Sequence, residues 1–180
     1  MTALLLASVL LLQQGPAAPR QTDSAEVNAS RETISAIGLA VAEVRSGSDV
    51  LRRAAFNDPD AVVVERARLL QLRCEELTTA ARAAPARICR TCFGRAQPAI
   101  ERYRASLAGA VQTGTRCTNT LRAQLRERQS AAAVKRGIRP FGQLIIAGLR
   151  PYEDAIHGVR VALGLEVPIQ QAAPPRRRPG

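Results

Sequence analysis

One hundred and eighty residues with 46% hydrophobic content suffice for one domain with a buried core and exclude a wholly disordered chain. Aromatic residues make up only 3%, with no Trp, so the core must be built from Leu, Ile, Val and Ala. The formal charge is +11 at pH 7, with Lys135 the only lysine among 26 basic residues, which excludes a neutral surface and directs attention to anionic partners.

The chain opens on an uncharged apolar run, Ala3 to Leu12. As a helix this run covers about 15 Å, roughly half of a bilayer core, so it is too short to span and has the length of a secretory signal's apolar region. Small residues at Gly15 and Ala17 predict cleavage after Ala17, with Ala18 as the alternative. The expected organisation is a signal peptide over 1–17, a helical bundle domain over 18–168 and an extended Pro/Arg-rich tail over 169–180. Export to the periplasm or the extracellular space follows, with no membrane span in the mature chain.

Rows of small and apolar residues spaced three and four apart then mark amphipathic helices, and no strand-like alternation occurs. The first row is Val27, Ser30, Ile34, Ile37, Val41, Val44, Ser48, Leu51 and Ala55. It keeps its phase through Ser46-Gly47-Ser48-Asp49 and predicts one helix over about 23–56. Asn57-Asp58-Pro59-Asp60 is a restart, in which Asp58 suits an N-cap and Pro59 the first helical position. The second row, Val63, Ala67, Leu70, Cys74, Leu77, Ala81, Ala84 and Ile88, predicts a helix kinked at Pro85 that continues to Phe93. Gly94 and Pro98 mark a stop and a new start.

The third row, Ile100, Tyr103, Leu107, Ala110, Gly114, Cys117 and Leu121, slips one place toward Leu125 and Ala132. The fourth is Phe141, Ile145, Leu149, Tyr152, Ile156, Val159 and Leu163, with Pro140 near its start and Pro151 inside it, which predicts a helix broken near Pro151. Short connections make successive helices antiparallel. The expected fold is therefore all-α, an elongated up-down-up-down four-helix bundle with coiled-coil-like heptad packing. Phe56 and Phe141 are expected to plug one end, and Phe93 and Tyr103 the other.

Four cysteines in an exported chain read as two disulfides. Cys74 lies 20 residues before Gly94 and Cys117 lies 20 after Gln97. A hairpin of the second and third helices thus brings both to one level, about 30 Å from its tip and on inward-facing rows. That pairs Cys74 with Cys117 and leaves Cys89 with Cys92. A bond between the latter two inside a helical turn would be strained. With Arg82, Arg87, Arg90 and Arg95 nearby to stabilise a thiolate, a redox-active pair is the alternative to a simple staple. A c-type haem site would need His where Phe93 stands, and a four-Cys zinc site, conceivable for a cytosolic chain, has only one locally spaced pair. No cofactor or metal is expected.

His157 is the only histidine, and Glu153 and Asp154 stand four and three residues before it, within reach on a helix. It falls off the apolar row, which suits a surface salt bridge. The rows carry no Asp or Glu, and neither a nucleophile elbow nor a glycine-rich phosphate loop occurs. The chain reads as a non-enzyme with no small-molecule substrate.

Charge is unevenly spread. Residues 20–81 carry eight basic and ten acidic side chains, net −2, whereas residues 82–139 carry 13 and two, net +11. Such a field captures polyanions in a salt-dependent way. Arg102 and Arg116 lie on one flank of the third row and Arg104, Arg122 and Arg126 on the other. With Arg128 they are the candidate residues for an anionic polymer or an acidic protein. No aromatic residues alternate with them, which removes the stacking that single-strand binders use. The expected role is structural or binding work in the cell envelope or outside the cell. The alternatives are a redox-responsive thiol/disulfide protein using Cys89 and Cys92, and a cytosolic basic nucleic-acid-binding bundle. Long heptad rods also suit a homodimer.

Overall fold

The computed structural model describes residues 21–126 and 130–164. The expected signal segment (1–17), the tail (169–180) and Arg128 lie outside the described residues. Four helices form, α1 (Gln21–Asn57), α2 (Asp60–Arg87), α3 (Gln97–Arg126) and α4 (Ser130–Ala162), with a 3-10 turn over Gly94–Ala96. No strand occurs among the described residues, so the chain is an all-α four-helix arrangement. In it α1 packs on α2, α2 on α3, α3 on α4 and α4 back on α1, with α1 and α3 on opposite corners.

Each adjacent pair is antiparallel. Glu43 meets Arg73 while the earlier Ser30 meets Cys89. Cys74 meets Cys117 while Pro85 meets Arg104, and Tyr103 meets Tyr152 while Thr113 meets Gly148. This is the order that short connections impose. The first row is buried from Ser30 to Ala55, the second throughout, and the third from Ile100 to Leu121. In the fourth, Phe141, Ile145, Leu149, Tyr152 and Val159 are buried, whereas Ile156 and Leu163 are half-buried.

Several element ends differ from the sequence reading. Helix α2 passes Pro85 but stops at Arg87 rather than Phe93, and Ile88 is extended at φ −94°, ψ 117°. Proline denies the last turn one of its bonds, and the Ile88 N–H makes the final one, to the Ala84 carbonyl at 3.1 Å. Cys89 and Cys92 consequently sit in a connection and not in a helical turn, which removes the expected source of strain. Pro59 occupies the N-cap position without a side-chain cap. Asp58 instead closes α1, its N–H donating to Ala54 O at 2.9 Å.

Helix α4 begins at Ser130, so Ala132 belongs to it, and it runs unbroken through Pro140 and Pro151. Both prolines are exposed, so the backbone bonds that they cost lie on the solvent face of the helix. Water can reach that face, while the opposite face keeps Phe141, Ile145, Leu149 and Tyr152 in one buried row. Phe56 follows the last core position, Ala55, and is 66% exposed, so it plugs nothing, whereas Phe141, Phe93 and Tyr103 are buried.

The α2–α3 seam is tight at Gly114, where an added Cβ would overlap Thr78 Oγ1 and approach Cys74 O to 2.9 Å. Gly114→Ala should therefore destabilise by roughly 1–3 kcal/mol through overpacking. Gly142→Ala, with nothing within 4 Å of the new Cβ, should gain up to about 1 kcal/mol from helix propensity. Urea unfolding of the two variants checks the opposite signs.

Tyr103 and Tyr152 are buried with ring centroids 5.5 Å apart and hydroxyls at 3.5 Å, longer than a good O–H···O bond. Burial pushes the Tyr103 hydroxyl far above the usual phenol range, with Tyr152 adding to the shift, and burial moves Tyr152 the same way. The fold thus holds both protons where the unfolded chain would release them near pH 10. Below that pH the pair is neutral in both states and stability is unaffected. As pH rises past about 10 the unfolded state binds fewer protons and stability falls. Because these are the only two tyrosines, tyrosinate absorbance should appear together with loss of helix in an alkaline titration.

Candidate functional site

The α2–α3 hairpin carries the features that sequence reasoning singled out. Deep in it, Cys74 and Cys117 are disulfide-bonded with Cα atoms 6.0 Å apart, and both are fully buried. At its tip Cys89 and Cys92 are bonded to each other, 5.7 Å between Cα atoms, and half-buried. Both pairings match the geometric expectation.

The tip is fixed to its neighbours by few but specific bonds. Ser30, a hydroxyl in an otherwise apolar row, donates to Glu26 O at 2.7 Å and accepts from the Cys89 N–H at 2.9 Å, tying α1 to the connection. Gly94 takes φ +49°, a region that favours glycine, and lets the chain turn into α3. Arg104 donates to the Pro85 carbonyl at 3.1 Å, satisfying an end of α2 from α3.

Sequence reasoning missed Glu26. Its Oε2 lies 3.5 Å from Cys89 Sγ and 3.2 Å from Cys92 Sγ. The polar group that meets the sulfurs is thus a carboxylate rather than one of the expected guanidiniums, and its negative charge opposes thiolate formation. The three potential ligand atoms lie within 4.8 Å of one another, but sulfurs bonded together offer no thiolate to a metal. A cavity of about 490 Å³ opens beside the pair, lined by Glu26, Ala29, Pro85, Arg87, Cys89 and Arg90 among others.

The expected anion-binding arginines separate into two groups. Arg104 is 11% exposed and pairs with Glu101 at 3.5 Å, and Arg122 pairs with Glu75 at 3.0 Å. Their contacts with α2 make them structural. Arg102, Arg116 and Arg126 are exposed and have no ion-pair partner among the described residues, and Arg116 borders a groove shared with α4. The same holds at the tip for Arg82, Arg87, Arg90 and Arg95, which the sequence reading counted in the Arg-rich region 82–139 and as thiolate partners but did not name individually for anion binding. A usable signal was present, since Glu101 is the only acid between residues 82 and 102.

Away from the tip, several bases meet acids. Arg73 lies between Glu43 at 3.2 Å and Glu76 at 2.9 Å, Lys135 meets Asp60 at 2.7 Å, and Arg45 meets Glu153. Glu153 is therefore engaged across the bundle by α1, and His157 is half-buried rather than fully exposed. No protein family, curated protein or solved structure matches the chain.

Proposed function

We propose that the chain is an exported, non-enzymatic helical bundle that binds an anionic polymer through the arginines at the tip of its α2–α3 hairpin. The observation that carries this reading is that Arg82, Arg87, Arg90, Arg95 and Arg102 are all exposed, without ion-pair partners among the described residues, around a connection closed by a disulfide. The disulfide constrains the backbone at Arg90, and Arg82, Arg87, Arg95 and Arg102 stand on the helical elements that flank it, so less backbone ordering is needed when an anion arrives. Guanidinium forks also suit sulfate, phosphate and carboxylate groups. Arg102 and Arg116 extend the same potential along α3.

Binding of the full oxidised chain to heparin, followed against salt, tests this. Four engaged guanidiniums should make affinity fall tenfold or more between about 50 and 200 mM salt. No binding at low salt, or binding indifferent to salt, overturns it. Export rests on the apolar run Ala3 to Leu12 and is tested by intact mass after expression in an export-competent host, where residues 1–17 should be lost.

The contact of Glu26 with both sulfurs, beside an open cavity, supports a second reading as a redox-responsive pair. In exchange with a dithiol, the reductant's sulfurs are oxidised to a disulfide and its two protons end on Cys89 and Cys92, and Glu26 would relay each proton in turn from the attacking thiol to the leaving sulfur. Reduction of Cys89–Cys92 by dithiothreitol should then slow in Glu26→Gln, and an unchanged rate removes this reading.

A further inference from the structure

A second groove, of about 490 Å³, runs between α1 and α4. Ile34, Leu39, Ile156, Val159 and Leu163 line it, and Arg31 and Arg160 flank it. Leu39 is 63% exposed and Ile156 and Leu163 only half-buried, so aliphatic surface is open to solvent here. Gly38 deepens the groove, because only the missing side chain separates it from the Tyr152 hydroxyl, which would lie 3.8 Å from an added Cβ.

The α1 lining spans residues 31 to 39, a rise of about 12 Å, comparable with a medium-length acyl chain. Both walls are helices whose backbone groups are already bonded, so an extended peptide laid here would find few partners for its own N–H and C=O groups. A second copy seated symmetrically would bring like guanidiniums together. An acyl chain has no polar groups to satisfy along its length, and a carboxylate at its end matches Arg31, which is exposed and has no ion-pair partner among the described residues. We propose that the α1–α4 groove binds one fatty-acid carboxylate, with its acyl chain on Ile34, Leu39, Ile156 and Leu163 and its headgroup at Arg31. This inference is independent of the polymer-binding tip.

The test is titration calorimetry of the full oxidised chain with dodecanoate below its micelle concentration. One molecule should bind per chain, and Arg31→Glu or replacement of the ligand by dodecanol should weaken binding about tenfold or more. Gly38→Leu should fill the groove and abolish binding, with an unchanged melting temperature showing that the fold survives. Arg87→Glu/Arg90→Glu/Arg95→Glu should leave dodecanoate binding intact. Failure to saturate, many molecules per chain, equal affinity for dodecanol, or loss of binding in the tip variant instead of Arg31→Glu would each overturn the proposal, whatever heparin does.

Discussion

Replacing Cys74 and Cys117 together by alanine should lower the unfolding free energy by roughly 4 kcal/mol. The bond spans 43 residues, and the loop-closure entropy it removes from the unfolded chain has about that value. In a chain of this size the loss corresponds to a melting temperature lower by about 8–16 °C. Both sulfurs are buried in the seam where Gly114 brings α2 and α3 together, so their removal also leaves a small unfilled volume. The Cys89–Cys92 bond closes a separation of only 3, and the same reasoning gives less than half the effect, about 1–2 kcal/mol. Urea unfolding of the two double variants under oxidising conditions distinguishes them. Equal losses would refute the entropic account. Exposure also orders their reduction: the half-buried tip pair should yield to a thiol reductant before the buried one.

The interior of this protein was legible because its rows are simple. Every position from Ser30 to Ala55 in the first row and from Val63 to Ile88 in the second is buried, since helical period alone decides which face turns inward. The disulfides were legible for the same reason. Two inward positions at equal distance from a tight hairpin must meet, and the remaining two cysteines have only each other.

Helix ends were less legible because they depend on balances that one segment does not contain. Pro85 and Pro151 present the same local chemistry. At Pro151 the helix continues because Tyr152 and Val159 still have a buried face to fill, while after Pro85 it stops two residues later because the connection must reach Gly94. Phe56 shows the opposite error, an aromatic placed in the core by its type although its position follows the last inward residue.

The candidate site was half legible. The excess of arginine over residues 82–139 is plain in the sequence, but which guanidiniums remain available depends on register between helices. Arg104 and Arg122 are consumed by Pro85 and Glu75, 19 and 47 residues away. Glu26 reaches the tip disulfide across 63 and 66 residues, and no local pattern announces that.

Reversal of Arg87, Arg90 and Arg95 to glutamate should abolish most heparin binding, because it changes the formal charge by −6, from +11 to +5, and places the whole change at the tip. At about 50 mM salt the affinity should drop by roughly a hundredfold, and the salt slope should flatten as fewer counterions are released. All three side chains are exposed, so stability should change by no more than about 0.5 kcal/mol per site. The matching control reverses Arg116, Arg126 and Arg139, which carries the same change in charge but spreads it over α3 and α4 away from the tip. If binding follows net charge alone, both triple variants lose affinity equally. If the tip is the site, its variant loses far more, because close guanidiniums act on one stretch of polymer while dispersed ones add only a weak, screened field. The difference between the two variants, rather than either loss by itself, therefore decides whether the tip is a binding site or part of a generally basic surface.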